Sequence, residues 1–221
     1  MQPGIHGFLH TPETPSGQGL VLTHGAGGNA QAPLLRALAD AFAHAGFTVL
    51  RCDLPFRQTR SFGPPGPADG ARDRAGLKNA ITALRAVIGG GVPESARGQS
   101  VAPLFIGGHS YGGRQASMLC AGEPGLVPGL LLLSYPLHPP RRPEQQRTQH
   151  LPDLCTPTLF VHGTRDPFGS IEELERAMKM IPAKTKLLAV EGAGHDLGFK
   201  GKTKKEGLPD QVVTEFINFL S

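Results

Sequence analysis

The 221 residues include 22 lysines and arginines against 18 acidic residues, a formal net charge of +4. That length suits one α/β domain, residues 1–221, removing ~70% of its unfolded surface from water, and the charge excess is too mild for an extended nucleic-acid surface. No apolar run nears the ~18 residues of a membrane span, and Met1 to Gly7 lack the basic and apolar stretches of a secretory leader, so a cytoplasmic, membrane-free protein is expected. In chain order, Gly4 to His10 reads as an edge strand and Leu20 to Thr23 as a short strand ending in His24-Gly25-Ala26-Gly27-Gly28. Pro33 to Ala45 has apolar residues at helical spacing (Leu34, Leu35, Leu38, Ala41, Phe42), with Gly46 as its stop. Phe47 to Cys52 is the next strand, Asp53 to Asp69 a proline-rich loop, and Ala71 to Ile88 a second helix. Val101 to Ile106 and Gly129 to Ser134 read as strands, with a helix from Arg114 to Ala121 between them and a Pro/Arg-rich loop running on to Pro152. A strand at Thr158–Val161, a helix from Ile171 to Met180, a strand from Lys186 to Val190 and a helix from Asp210 to Leu220 complete the series. Short apolar strands alternating with amphipathic helices predict a parallel sheet with helices on both faces.

Two compositional features carry bland readings. Lys200, Lys202, Lys204 and Lys205 form the one dense basic run; it reads as a solvated loop before the last helix, with a phosphate or nucleic-acid contact as the alternative. No aromatic residues alternate with those lysines to stack bases, which disfavours nucleic acid. Cys52, Cys120 and Cys155 have no metal-ligand spacing and lie in or beside apolar segments, so buried reduced thiols are expected and no metal or cofactor is implied.

The most informative stretch is Gly108-His109-Ser110-Tyr111-Gly112, a Gly-x-Ser-x-Gly between a predicted strand and a predicted helix. In that setting a serine sits on a sharp, strained turn with its hydroxyl pushed out at the carboxyl edge of a sheet. Side chains at the flanking glycines would collide with the adjacent strand and helix. A serine hydroxyl needs a base, and the base needs a carboxylate to fix its tautomer. Asp166 falls just past the strand at 158–161, and His195 just past the strand at 186–190, in the order Ser, acid, His. Asp196 is the rival acid, but a residue next to the histidine rarely reaches its Nδ1. Other strand-end histidines compete with His195. His24 is expected to shape the first loop by hydrogen bonding, and His109 to point away from the cleft; His162 reads as structural. The backbone N–H groups of Tyr111 and Ala26 are the candidate oxyanion donors, a plain glycine turn being the alternative at Ala26.

With these residues together, the chain resembles the α/β-hydrolase superfamily over nearly its full length, and within it the dienelactone-hydrolase-like branch. His24–Gly28, Gly107–Arg114, Tyr135–Pro140 and Gly163–Gly169 are similar to segments of small proteins related to testis-expressed protein thirty and to the third subunit of the NSL chromatin complex. The resemblance implies a mostly parallel sheet of six to seven strands and a Ser110–His195–Asp166 relay that forms and hydrolyses an acyl-enzyme. Dienelactone hydrolases use a cysteine nucleophile where this chain has Ser110, so their substrate does not transfer. About 15 residues separate Tyr135 from Leu151, too few for a helical cap, and a cleft that is shallow or roofed by loops is expected. Arg57, Arg60, Arg141, Arg142 and Arg147 lie in those loops, with Arg114 one helical turn past the serine. They read either as groups orienting an anionic ester or as surface charges, with Arg114 alternatively pairing a buried carboxylate. The activity read from this pattern is hydrolysis of a small carboxylic ester or thioester. The rivals are a non-catalytic interaction or scaffold protein on the same fold, and a peptidase or amidase using the same residues.

Overall fold

Apolar runs of four to six residues, bounded by glycine and proline, lie side by side as one seven-stranded sheet in a computed structural model that describes residues 4–90, 102–199 and 207–221. The strands are β1 (Gly7–His10), β2 (Gly19–Thr23), β3 (Thr48–Cys52), β4 (Leu104–His109), β5 (Leu130–Leu133), β6 (Thr158–Gly163) and β7 (Thr185–Val190). Their spatial order is β1-β3-β2-β4-β5-β6-β7, parallel throughout except for the antiparallel edge pair β1 and β3. The helices among the described residues are α1 (Pro33–His44), α2 (Pro55–Thr59), α3 (Asp69–Gly89), α4 (Tyr111–Gly122), α5 (Ile171–Met178) and α6 (Leu208–Leu220).

Side chains alternate across a strand, and here both faces are covered. Val21, Ile106, Leu132 and Phe160 join the core under α3, α4 and α5, whereas Leu22, Phe105, Leu131 and Val161 join the core under α1 and α6. Such two-sided burial is why the strands read as unbroken apolar runs rather than as alternating ones. Helix α1 shows the complementary pattern: Leu34, Leu35, Leu38 and Phe42 are buried along one stripe, Pro33 opens the helix, and Gly46 leaves it at φ +94°.

The chain runs from β2 outward to β3 and then returns to place β4 on the other side of β2. The crevice at this reversal, outside the carboxyl ends of β2 and β4, is where parallel sheets of this kind place their ligands. In-register pairing of Thr23 with Gly108 brings the loop after β2 against the turn after β4.

The structure departs from sequence expectation in several places. The segment 53–69 is not all loop, because α2 forms one proline-initiated turn and a half within it. Edge strand β1 begins at Gly7 rather than Gly4, α4 starts directly after Ser110, and α5 ends at Met178. Cys52 and Cys120 are buried, and burial pushes both thiols up to about 12, but Cys155 is exposed on the loop before β6. The lysine run at 200–205 and the first residue of the expected strand, Val101, lie outside the described residues. Among the described residues no helix is long and apolar enough to cross a membrane.

Candidate active site

Strand β4 ends in a turn so tight that the first helical residue follows Ser110 immediately. Ser110 takes φ 52° and ψ −118°, a left-handed conformation that costs a non-glycine residue about 1–3 kcal/mol and is held here by the strand before it and the helix after it. The neighbouring glycines explain how the backbone fits. A Cβ on Gly108 would lie 2.6 Å from the Gly113 nitrogen, and one on Gly112 would lie 2.4 Å from the His24 carbonyl oxygen. The Ser110 N–H donates to the Leu133 carbonyl at 2.8 Å, extending the β4–β5 ladder into the turn.

The side chains that sequence reasoning singled out meet at this edge. His195 Nε2 is 2.8 Å from Ser110 Oγ, and His195 Nδ1 donates to Asp166, 2.8 Å from one carboxylate oxygen and 3.0 Å from the other. The Asp166 side chain is fully enclosed, and its Oδ1 also accepts the Phe168 N–H at 2.9 Å. Asp196, the rival acid, is not the partner of His195 Nδ1. Phe168 stacks on the His195 ring at a centroid distance of 4.1 Å, which limits the imidazole's freedom to turn.

His109 does not point away from the cleft. It lines the cavity, with its ring centroid 5.2 Å from that of His195 and its Nε2 donating to the His195 carbonyl at 2.7 Å. The residue before Ser110 thereby fastens the histidine loop to the turn. His162 is buried behind Asp166: its Nε2 donates to the Gly169 carbonyl at 2.9 Å and lies 3.7 Å from the Asp166 carboxylate. Burial lowers the His162 pKa, so the ring stays neutral and shapes the loop that carries Asp166. His24 works locally too, donating from Nδ1 to the Gly25 carbonyl and accepting the Leu54 N–H at Nε2.

The loop after β2 faces Ser110, and both Ala26 and Tyr111 line the same cavity. Among the described residues, neither backbone N–H makes an intramolecular hydrogen bond, as donors awaiting an acceptor require. Two contacts absent from the sequence reading hold them. The Tyr111 hydroxyl donates to Asp73 at 2.7 Å; Asp73 is buried, which raises its carboxyl pKa, and it also accepts the Phe56 N–H at 3.0 Å. Arg57 stands behind the glycine loop. Its guanidinium donates to the carbonyls of Ala26 (2.7 Å), Gly28 (2.9 Å), Gly63 (2.9 Å) and Arg60 (3.1 Å). The Ala26 and Gly28 carbonyls of the glycine loop are thereby committed to Arg57. Arg60 pairs with Asp69, and Arg141 and Arg142 are exposed, whereas Arg114 and Arg147 line the cavity.

The cavity has a volume of about 510 Å³, within the range of small-molecule sites, and is walled by Leu34, Leu35, Pro64, Pro65, Phe168 and Phe199 around the Ser110 hydroxyl. Among the described residues no helical cap covers it; the segment between Tyr135 and Leu154 is loop except for a single 3₁₀ turn at Leu151–Asp153.

Residues 16–220 match the family model of the alpha/beta hydrolase domain. The chain belongs to that family. Solved structures share its fold at low identity. The dienelactone hydrolase from Anabaena variabilis superposes at TM-score 0.68 and 21% identity over all of both chains. Est1E from Butyrivibrio proteoclasticus gives 0.68 and 16%, over 98% of this chain and 94% of that one. A serine hydrolase described as lacking a lid, from Xanthomonas campestris, gives 0.66 and 15%, over 96% and 86%.

Proposed function

We propose that this α/β-hydrolase is a serine hydrolase of small carboxylic esters or thioesters, with Ser110 as nucleophile, His195 as base and then acid, and Asp166 as the group that orients His195. The observation that carries the reading is the 2.8 Å contact between Ser110 Oγ and His195 Nε2, with Nδ1 committed to an enclosed carboxylate. That arrangement leaves Nε2 as the free acceptor of the hydroxyl proton. As Oγ attacks the substrate carbonyl, its proton passes to Nε2. The negative charge forms on the carbonyl oxygen, where the N–H groups of Ala26 and Tyr111 receive it. Collapse releases the alcohol or thiol with the proton from Nε2, and water repeats the sequence on the acyl-enzyme.

Proton acceptor, orienting carboxylate and oxyanion donors all come from the chain itself, so the reading calls on neither metal nor cofactor. The volume and apolar walls of the cleft support a small-molecule partner, and a cytoplasmic setting goes with this reading. Within the family we place the chain beside the small proteins related to testis-expressed protein thirty and the third subunit of the NSL complex, on the segments quoted above. A series of p-nitrophenyl esters from acetate to laurate tests the activity. Turnover of the shorter members, abolished in Ser110→Ala, is expected. Turnover that persists in that variant would remove Ser110 from the role.

A further inference from the structure

The cavity wall formed by α4 and the loop after β5 carries two arginines that form no ion pair among the described residues. Arg114, four residues past Ser110, lines the cavity together with Arg147, Tyr111 and Pro136. Among the described residues the Arg114 Nε is enclosed yet has no hydrogen-bond partner, while the charge of its guanidinium acts on the neighbouring Tyr135 hydroxyl. Leaving a buried charged donor unmade is costly, so such a group points to an acceptor that arrives from outside.

Arg147 is anchored through its backbone rather than its side chain. Its N–H donates to the Leu137 carbonyl and its carbonyl accepts the Tyr135 hydroxyl, both at 2.8 Å. Its guanidinium makes a single long contact, 3.4 Å to the Pro136 carbonyl. Among the described residues, neither Arg114 nor Arg147 pairs with a carboxylate.

Neighbouring groups register the resulting field. Burial, and after it the charge of Arg114, holds the Arg147 guanidinium below its usual range. Burial, and after it Arg114, pushes His150 down to about 4. His150 is therefore neutral at pH 7, and its Nε2–H is committed to the Ser117 hydroxyl at 2.8 Å.

Two guanidinium groups on one wall of the cavity, each with donors left unused among the described residues, suit a planar or tetrahedral oxyanion. We propose that Arg114 and Arg147 form a subsite for an anionic group, a carboxylate or a phosphate, carried by the ester that Ser110 attacks. The inference rests on the serine-hydrolase reading for its chemistry, but its binding claim is tested apart from turnover.

The first measurement is the kcat/KM ratio for matched charged and neutral esters: p-nitrophenyl hemiglutarate against valerate, and a phosphorylated alcohol ester against its unphosphorylated parent. At least one pair is expected to favour the anion by roughly 10- to 100-fold, as one or two charge-assisted hydrogen bonds supply. That ratio falls toward one in Arg147→Gln and in Arg114→Gln, and Arg147→Glu turns the preference toward a trimethylammonium ester. The second measurement is calorimetric binding of the same esters to Ser110→Ala, alone and combined with Arg147→Gln. Tighter binding of an anionic ester, lost in the double variant, supports the subsite even if no ester is turned over. Equal binding of charged and neutral esters, or a preference that survives both arginine variants, overturns it. Absence of turnover in the wild type beside intact anion binding would instead strike the hydrolase reading alone.

Discussion

Arg57 on one side of the site, and Arg114 with Arg147 on the other, carry the same guanidinium and use it in opposite ways. Arg57 is buried, and among the described residues every hydrogen bond its side chain donates goes to a backbone carbonyl, four of them, drawn from the glycine loop and from its own loop. Arg114 keeps an enclosed Nε without any acceptor, and Arg147 gives its side chain one long contact. In sequence Arg57 and Arg147 read alike as loop arginines around a predicted cleft, with Arg114 set apart one helical turn past Ser110. What separates them is the supply of acceptors that the folded backbone brings within reach, not their charge or their distance along the chain from Ser110. A guanidinium surrounded by carbonyls holds the protein; one left with free donors is available to a ligand.

That contrast has functional meaning only if the hydroxyl between the two groups reacts. Ser110→Ala is expected to lower kcat by ~10⁶ and Asp166→Asn by ~10⁴, the non-additive pattern of residues that act as a unit. Rates within tenfold of wild type in either variant would break the comparison at its root. Next comes Arg57. Replacing it by alanine frees the carbonyls of Ala26 and Gly28 and lets the oxyanion loop relax, so kcat should fall by ~10² with KM changing far less, comparable to the loss of one oxyanion donor. Arg57→Lys should recover little, because one ammonium does not span four carbonyls. A lowered Tm with kcat intact would assign Arg57 to stability alone.

A smaller effect concerns the turn both groups flank. Gly112→Ala places a Cβ 2.4 Å from the His24 carbonyl oxygen, against backbone that does not yield. Overpacking of this kind lowers Tm by roughly 5 °C, measurable by calorimetry. The smallest effect is the pH dependence of the Arg114 neighbourhood. The folded protein keeps His150 neutral down to about 4, whereas the unfolded chain takes its proton near 6.5. Across that window protons favour the unfolded chain, so stability is fully present above about 6.5 and is lost as pH falls toward about 4. His150→Gln should therefore show a shallower decline of Tm with acidification than the wild type, and an unchanged slope would contradict the burial of a neutral His150 at this place.

The sheet and the three side chains at its edge were readable in the sequence because each rests on a local pattern. Continuous apolar runs mark strands buried on both faces, and glycines on either side of Ser110 mark a turn with no room for a Cβ. Asp166 and His195 could be chosen because strand ends are visible as the places where those runs stop. The contacts that steady the site were not readable. Arg57 reaches carbonyls at positions 26 and 28, and a carbonyl leaves no trace in residue type. Helix α2 has five residues in a proline-rich stretch, too few for a helical period to register. His109 turns toward His195 because the histidine loop folds back over the nucleophile turn, a tertiary contact 86 residues apart in sequence. Cys155 sits close to apolar neighbours in the chain, yet the loop before β6 leaves it exposed.

The most direct test is intact-mass analysis of the protein treated with a fluorophosphonate, followed by peptide mapping. The account predicts one adduct per chain, on the peptide containing Ser110, formed quickly in wild type, slowly in His195→Ala and not at all in Ser110→Ala. Labelling at another residue, or equal labelling of the Ser110→Ala protein, would contradict it.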